Sequence, residues 1–148
     1  MPKDELIFGG LAGAVGNIIK EILTWSFYWV GMFKYTFIHF CAGIVLNSNS
    51  VKTPAGVAIG MVIDNFLAAL FGVAIFYVLK RYGTSFLVLK ALAFGLGIFL
   101  ICYSMLRPTF SSIKENAEPL VSLLYLGPNL VYGITTGWFI KKYNRILH

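Results

Sequence analysis

The sequence predicts an all-α protein: an integral membrane bundle of four transmembrane helices, with an additional aromatic interfacial helix after the first. Three observations carry that expectation. Hydrophobic residues make up 58% of the 148 positions, charged residues 12%, and mean hydropathy is +0.78. A soluble domain carries about 25% charged residues, so this chain lacks the polar surface to cover itself in water. Three apolar runs each reach the roughly 20 residues that about 30 Å of hydrocarbon demands. Basic residues then punctuate the ends of those runs, the pattern of the positive-inside rule. The formal charge of +6 therefore reads as topology. It argues against nucleic acid as a partner, because no exposed domain is present to carry a contiguous basic face.

The length fits one integral membrane domain over residues 1–148. The three clear spans cover 55–79, ending at Lys80–Arg81; 85–106, stopped by Arg107–Pro108; and 120–140, closed by Lys141, Lys142 and Arg145. Polar, proline-bearing loops, "NSNSVKTP" before the first of these and "RPTFSSIKENAEP" before the last, set them apart. Residues 6–46 are too long for one ordinary span and are interrupted at Lys20–Glu21 and Lys34. The preferred division is a first span over 6–23, followed by an aromatic segment over 24–46, "TWSFYWVGMFKYTFIHFCAGIVL". Trp and Tyr favour the headgroup level, which makes that segment interfacial; the alternative is an additional span. With four spans, the basic ends Lys80–Arg81 and Lys141–Lys142–Arg145 fall on one side. The expected location is then the bacterial cytoplasmic membrane, multi-pass, with both termini cytoplasmic. Lys3 joins that side, while Lys52, Arg107 and Lys114 lie outside with Glu115 and Glu118. The N-terminus lacks an extended basic region, and Asp4–Glu5 directly precede the apolar run, so the first helix reads as retained rather than cleaved.

Small residues at four-residue spacing flatten a helix face and let a neighbouring backbone approach, which is how helices associate in lipid. Gly9, Gly13 and Gly16 (with Ala12) form such a face in the first span, Gly56 and Gly60 in the second, and Gly133 and Gly137 in the last. A phosphate-cradling loop is a poor alternative for the first stretch, since no strand precedes it and no Lys–Ser/Thr pair closes it.

Four polar residues share one depth. At 1.5 Å per residue, Asn17 lies about 16 Å beyond Leu6, Asp64 and Asn65 about 14–15 Å past Ala55, and Asn129 about 14 Å past Leu120. A carboxylate at mid-membrane costs roughly 2.5–3.5 kcal/mol even on lenient scales, so Asp64 should face the bundle interior and a partner. Gly60 and Ala68, four residues to either side, put a small-residue stripe beside it. Asn65 is turned away by about 100°, leaving Asn17 and Asn129 as the expected partners. Asparagines in spans also act as plain interhelical hydrogen-bond glue. Lys20, Lys34 and Lys90 read as snorkelling residues with hydrated heads, and Glu21 as local compensation for Lys20 at the membrane edge. His39 reads as packed rather than ligating. Cys41 and Cys102 read as free buried thiols; a pairing between them stays open.

No HExxH, CxxC or G-x-S-x-G motif is present, so no catalytic residue, metal site or cofactor is expected. Two function classes remain. One is a small channel or transporter with a midplane polar site around Asp64. The other is a non-catalytic membrane scaffold or accessory subunit using the same residues as packing glue. The partners this pattern admits are the lipid bilayer, a second copy of the chain as a homo-oligomer, a small ion or solute, and another membrane protein.

"GMVIDNFLAALFGVAIFYVLKRYG", "LVLKALAFGLGIFLICY" and "LYLGPNLVYGITTGWFIKK" resemble small four-helix bacterial membrane proteins of the YqhR/YagU type, over Gly60 to Lys142. The resemblance lies in a helix ending in Lys-x-x-Gly, a following Leu-Lys with downstream glycines, and a final Val-Tyr-Gly-x-x-x-Gly. Members tend to carry His where this chain has Asp64 or Asn129. The resemblance therefore implies a fold and a location, and no reaction, metal or cofactor.

Overall fold

The computed structural model describes residues 2–106, 112–113 and 119–143. Arg107, Lys114, Glu115, Glu118 and Arg145, used above for spans and orientation, lie outside the described residues, as does the side chain of Lys3. The described residues are all-α. They form α1 (Pro2–Trp29), the short α2 (Phe37–Ala42), α3 (Pro54–Tyr82), α4 (Leu87–Phe99) continued by a π-helical segment (Leu100–Leu106), and α5 (Pro119–Tyr143). Two helical stretches, Asp4–Trp29 and Pro54–Tyr82, are long and apolar enough to cross a membrane.

The first helix is longer than the sequence division at residue 23 allowed. Thr24 to Trp29 continue α1, and the stop comes only at Gly31, whose φ of 83° is open to glycine at little cost. There the Gly31 and Met32 N–H groups reach back to the carbonyls of Tyr28 (3.1 Å) and Phe27 (3.0 Å), the paired bonds of a Schellman stop. The aromatic segment is thus no continuous interfacial helix. Its first part extends α1, and its second part turns back as α2, every residue of which is buried. Tyr125 holds that return: Phe33 stacks on its ring at 4.0 Å, and Phe37 and Phe40 meet it edge-on. Helix α3 starts on a Thr53 cap, whose side chain accepts the Gly56 N–H at 3.1 Å, with Pro54 in the first turn.

α1 is the central element, flanked by α3 and α5, and α5 packs in turn on α4. Its glycines fix these contacts. A Cβ on Gly13 would fall 2.9 Å from Gly72 Cα, and one on Gly9 2.9 Å from Val73 Cα, so α1 and α3 touch backbone to backbone. Gly16 makes the corresponding approach to Tyr132 and Thr136 of α5, Gly133 to Ala91 of α4, and Gly60 to Ile38 of α2. Two expected packing residues differ. Gly56 meets Ser50 and Val51 of the loop leading into its own helix, and Gly137 meets Leu87 and Ala91 only at ordinary contact distance. Gly72 and Gly95 are close-contact positions that the four-residue pattern did not single out. These faces are filled by the chain's own helices.

Helix directions follow from end contacts. Lys80 near the end of α3 donates to Glu5 at the start of α1 (2.6 and 2.8 Å), and Phe8 lies 6.0 Å from Phe139 near the end of α5. Lys80–Arg81 and Lys141–Lys142 therefore gather at one end of the bundle, with α2 at the other. Lys90 caps the α3 terminus, donating to the carbonyls of Tyr82 and Gly83. Many large apolar side chains point outward, Val62 being 71% and Phe66 63% exposed, while Asn17, Lys20, Asp64 and Thr136 are buried.

Close backbone contact leaves no room for a methyl. Gly13→Ala should lower stability by about 1–3 kcal/mol, the usual range for overpacking. Gly97→Ala, which meets nothing within 4 Å, should be neutral or raise stability by up to about 1 kcal/mol. Thermal unfolding in mild detergent measures both.

Candidate functional site

The α1–α3 contact that the glycines bring together carries a polar cluster one to two turns further along. With α1 running to Trp29, Lys20 is no longer at a helix end, and its side chain turns inward with those of Asn17 and Thr24. Asn17 is 1% exposed, Lys20 6% and Asp64 6%. The Lys20 ammonium donates to both Asp64 oxygens, at 2.9 and 3.2 Å, and lies 3.1 Å from Glu21 Oε1. Asn17 Nδ2 donates to Asp64 Oδ2 at 2.7 Å. The Cys41 thiol stands 3.9 Å from Asp64 Oδ1, and the Phe37 ring lies 4.9 Å from the ammonium. Asp64 is thus held by two helices and bordered by a third.

The expected site residues distribute as follows. Asp64 faces inward and meets Asn17. Asn65 borders the outer side of the same contact, where its Oδ1 lies 3.3 Å from Asn17 Nδ2 and its own amide donates to Met61 O. Asn17 therefore sits between Asp64 and Asn65 and touches both, despite their separation around α3. Asn129 is buried, but its amide donates to Tyr125 O of its own helix at 2.9 Å. It faces Asp64 across a cavity without bonding to it.

Lys20 is the residue that sequence reasoning misplaced. A snorkelling lysine keeps its head in water; this one is buried in an ion pair. The available signal was its spacing. Gly13, Gly16, Lys20 and Thr24 recur at three- and four-residue intervals, so Lys20 shares the face that the glycines turn inward. Cutting the span at residue 23 hid this by placing Lys20 near an edge.

A cavity of about 50 Å³ adjoins the cluster, lined by Asn17, Lys20, Cys41, Asp64, Cys102 and Asn129 among apolar neighbours. One water needs about 10–15 Å³ by this measure, so the space suits a few waters or one small ion and no metabolite. Both cysteines are free thiols. Among the described residues, no three His, Cys, Asp or Glu side chains are grouped to hold a metal.

His39 lies outside this cluster. It closes a capping box at the start of α2, its Nδ1 accepting the Thr36 N–H at 3.0 Å, and it packs among Trp25, Tyr28 and Tyr35. An accepting Nδ1 is unprotonated, and burial, with the nearby Lys52 charge, lowers the imidazole to about 4.

The fold and site together define a class: an all-α bundle with an apolar exterior and a buried ion-paired cluster. Compared beyond that, the chain matches no family model, no curated protein and no solved structure at a significant level.

Removing Lys20 alone strands a buried carboxylate, a loss of about 3–5 kcal/mol, whereas replacing both charges by apolar groups is often neutral. Lys20→Met should therefore destabilise strongly; adding Asp64→Leu should recover only the part owed to Asp64, because Glu21 still lacks its cation, and adding Glu21→Gln should recover the rest, as thermal unfolding of the series would show. His39 supplies a pH signature. Between about pH 6.5 and pH 4 the unfolded chain binds the imidazole proton and the folded chain does not. Stability is therefore full above pH 6.5 and falls as the pH drops toward 4, and His39→Gln should flatten that part of the melting-temperature profile.

Proposed function

We propose that this chain is a multi-pass membrane protein of the bacterial cytoplasmic membrane that moves a proton or small cation through the Asp64 cluster. Helices α1, α3, α4 with its π segment, and α5 are its four spans, and both termini are cytoplasmic. The outward apolar side chains face lipid, and the end bearing Lys80–Arg81 and Lys141–Lys142 faces the cytoplasm. Kinship with the YqhR/YagU-type proteins over Gly60 to Lys142 belongs to the same proposal.

One observation carries the reading: a single ammonium, Lys20, serves two carboxylates, Asp64 at 2.9 Å and Glu21 at 3.1 Å, in the bundle interior. With all three ionised the cluster holds a net charge of −1, and an uncompensated charge in a low-dielectric interior is costly. One proton or one cation completes the balance, and the adjoining space is the right size for a small ion with a water or two. Ionisable residues inside membrane bundles mark ion paths and proton relays. Packing glue needs no ionisable group; three asparagines would do. The cycle is then a competition in which loading of one carboxylate releases Lys20 toward the other.

Proteoliposomes containing a pH-sensitive dye test this. The wild type should pass protons or a monovalent cation under an imposed gradient. The Lys20→Met/Asp64→Leu double variant, shown to be folded by its melting temperature, should lose at least tenfold of that flux. Equal flux from the double variant, or none from the wild type for any ion tried, would favour the scaffold function instead.

A further inference from the structure

The outer side of the α1–α3 contact carries a second feature, a groove of about 550 Å³ that shares only Asn17 with the central cavity. Ile18, Ile22 and Met61 make its apolar walls, and Trp25 and Trp29 line it toward the α2 end. Asn17, Glu21, Trp25 and Trp29 follow at four-residue intervals, so two polar groups and two indoles form one stripe along α1.

Three acceptor atoms under this groove are buried and accept no hydrogen bond: Asn17 Oδ1 and both carboxylate oxygens of Glu21. Lys20 stands at ion-pair distance from Oε1 but directs its hydrogen bonds to Asp64. The neighbouring donors are engaged elsewhere, Asn65 with Met61 O and Ser26 with Ile22 O. An unmatched buried acceptor is costly, more so when charged, and an occupant that donates to it removes that cost.

The geometry points to a binding site for amphipathic amines. A primary or secondary ammonium donates to Glu21 and Asn17, its apolar body lies along Ile18, Ile22 and Met61, and the Trp25 ring faces its charge. The ammonium also supplies the positive charge that Lys20 and two carboxylates lack. Two other occupants fit less well. A phospholipid brings a phosphodiester, and no Lys, Arg or His lines the groove to face it. A quaternary ammonium matches the charge but has no N–H for the three acceptors. The site rests on the membrane placement proposed above, because the amine reaches the groove from the lipid side, but it does not require transport.

The test uses the full chain in phosphatidylcholine nanodiscs in a Trp138→Phe background, so that fluorescence reports Trp25 and Trp29. Octylammonium should give a saturable change that empty nanodiscs lack. Octyltrimethylammonium and 1-octanol should bind at least tenfold more weakly. Glu21→Gln should weaken octylammonium at least tenfold, and so should Met61→Phe, which narrows the groove and leaves every charge in place. Equal binding of the quaternary analogue, or unaltered affinity in both variants, overturns the site. Displacement of octylammonium by phosphatidylethanolamine at equal or higher affinity replaces it with a lipid-headgroup site. Absence of ion flux with amine binding intact removes the transport reading alone, whereas recovery of the chain from the soluble fraction overturns the membrane placement and this site with it.

Discussion

The Lys20 ammonium, buried between α1 and α3 and shared by two carboxylates, is the interaction on which the remaining arrangement depends. A charge in that position has to be met by its partner at hydrogen-bond distance, and the partner sits on another helix 44 residues away. The two backbones must therefore approach closely and hold one register. Gly9, Gly13 and Gly72 provide the approach by removing the side chains that would keep α1 and α3 apart. Small residues near the basic end thus make a polar contact possible nearer the other end. The two are linked: the close approach brings the ion pair within reach, and loss of one partner alone leaves an unmatched buried charge in the interface.

The aromatic return completes the enclosure. Once α1 stops at Gly31, the chain folds Phe33, Phe37 and Phe40 around Tyr125 of α5 and lays α2 across α3, bringing Cys41 and Phe37 to the cluster. The neutral, accepting His39 holds the first turn of α2 in place. An aromatic segment that would otherwise rest at an interface becomes the wall that excludes solvent from Asp64. Exclusion strengthens the ion pair, since charge interactions grow as the effective dielectric falls. It also makes a net charge in the cluster costlier to hold.

The two spaces beside Asn17 have different chemistry. Inside, a small cavity is bordered by a satisfied carboxylate, two thiols and an asparagine, and its size admits water or one ion. Outside, a larger groove with apolar walls overlies acceptors that receive no hydrogen bond. Asn17 belongs to both, its amide given to Asp64 and its carbonyl oxygen left unmatched.

What the sequence by itself determined was the helical class, helices around residues 55–79, 85–106 and 120–140, and the inward aim of Asp64 toward Asn17. Those features follow from local or additive quantities: run length, mean hydropathy, the cost of a carboxylate among apolar residues, and 100° per residue. Tertiary structure alone decided the fate of Lys20, Glu21 and the aromatic segment. Whether a lysine snorkels or pairs depends on where its helix ends, and α1 ends at a Schellman stop whose glycine is only one of several in the region. Whether an aromatic run lies flat or folds back depends on a partner, Tyr125, some 90 residues further on. Periodicity along one helix reports which residues share a face; which neighbour covers that face is set by contacts distant in sequence, and those exist only once the helices are packed.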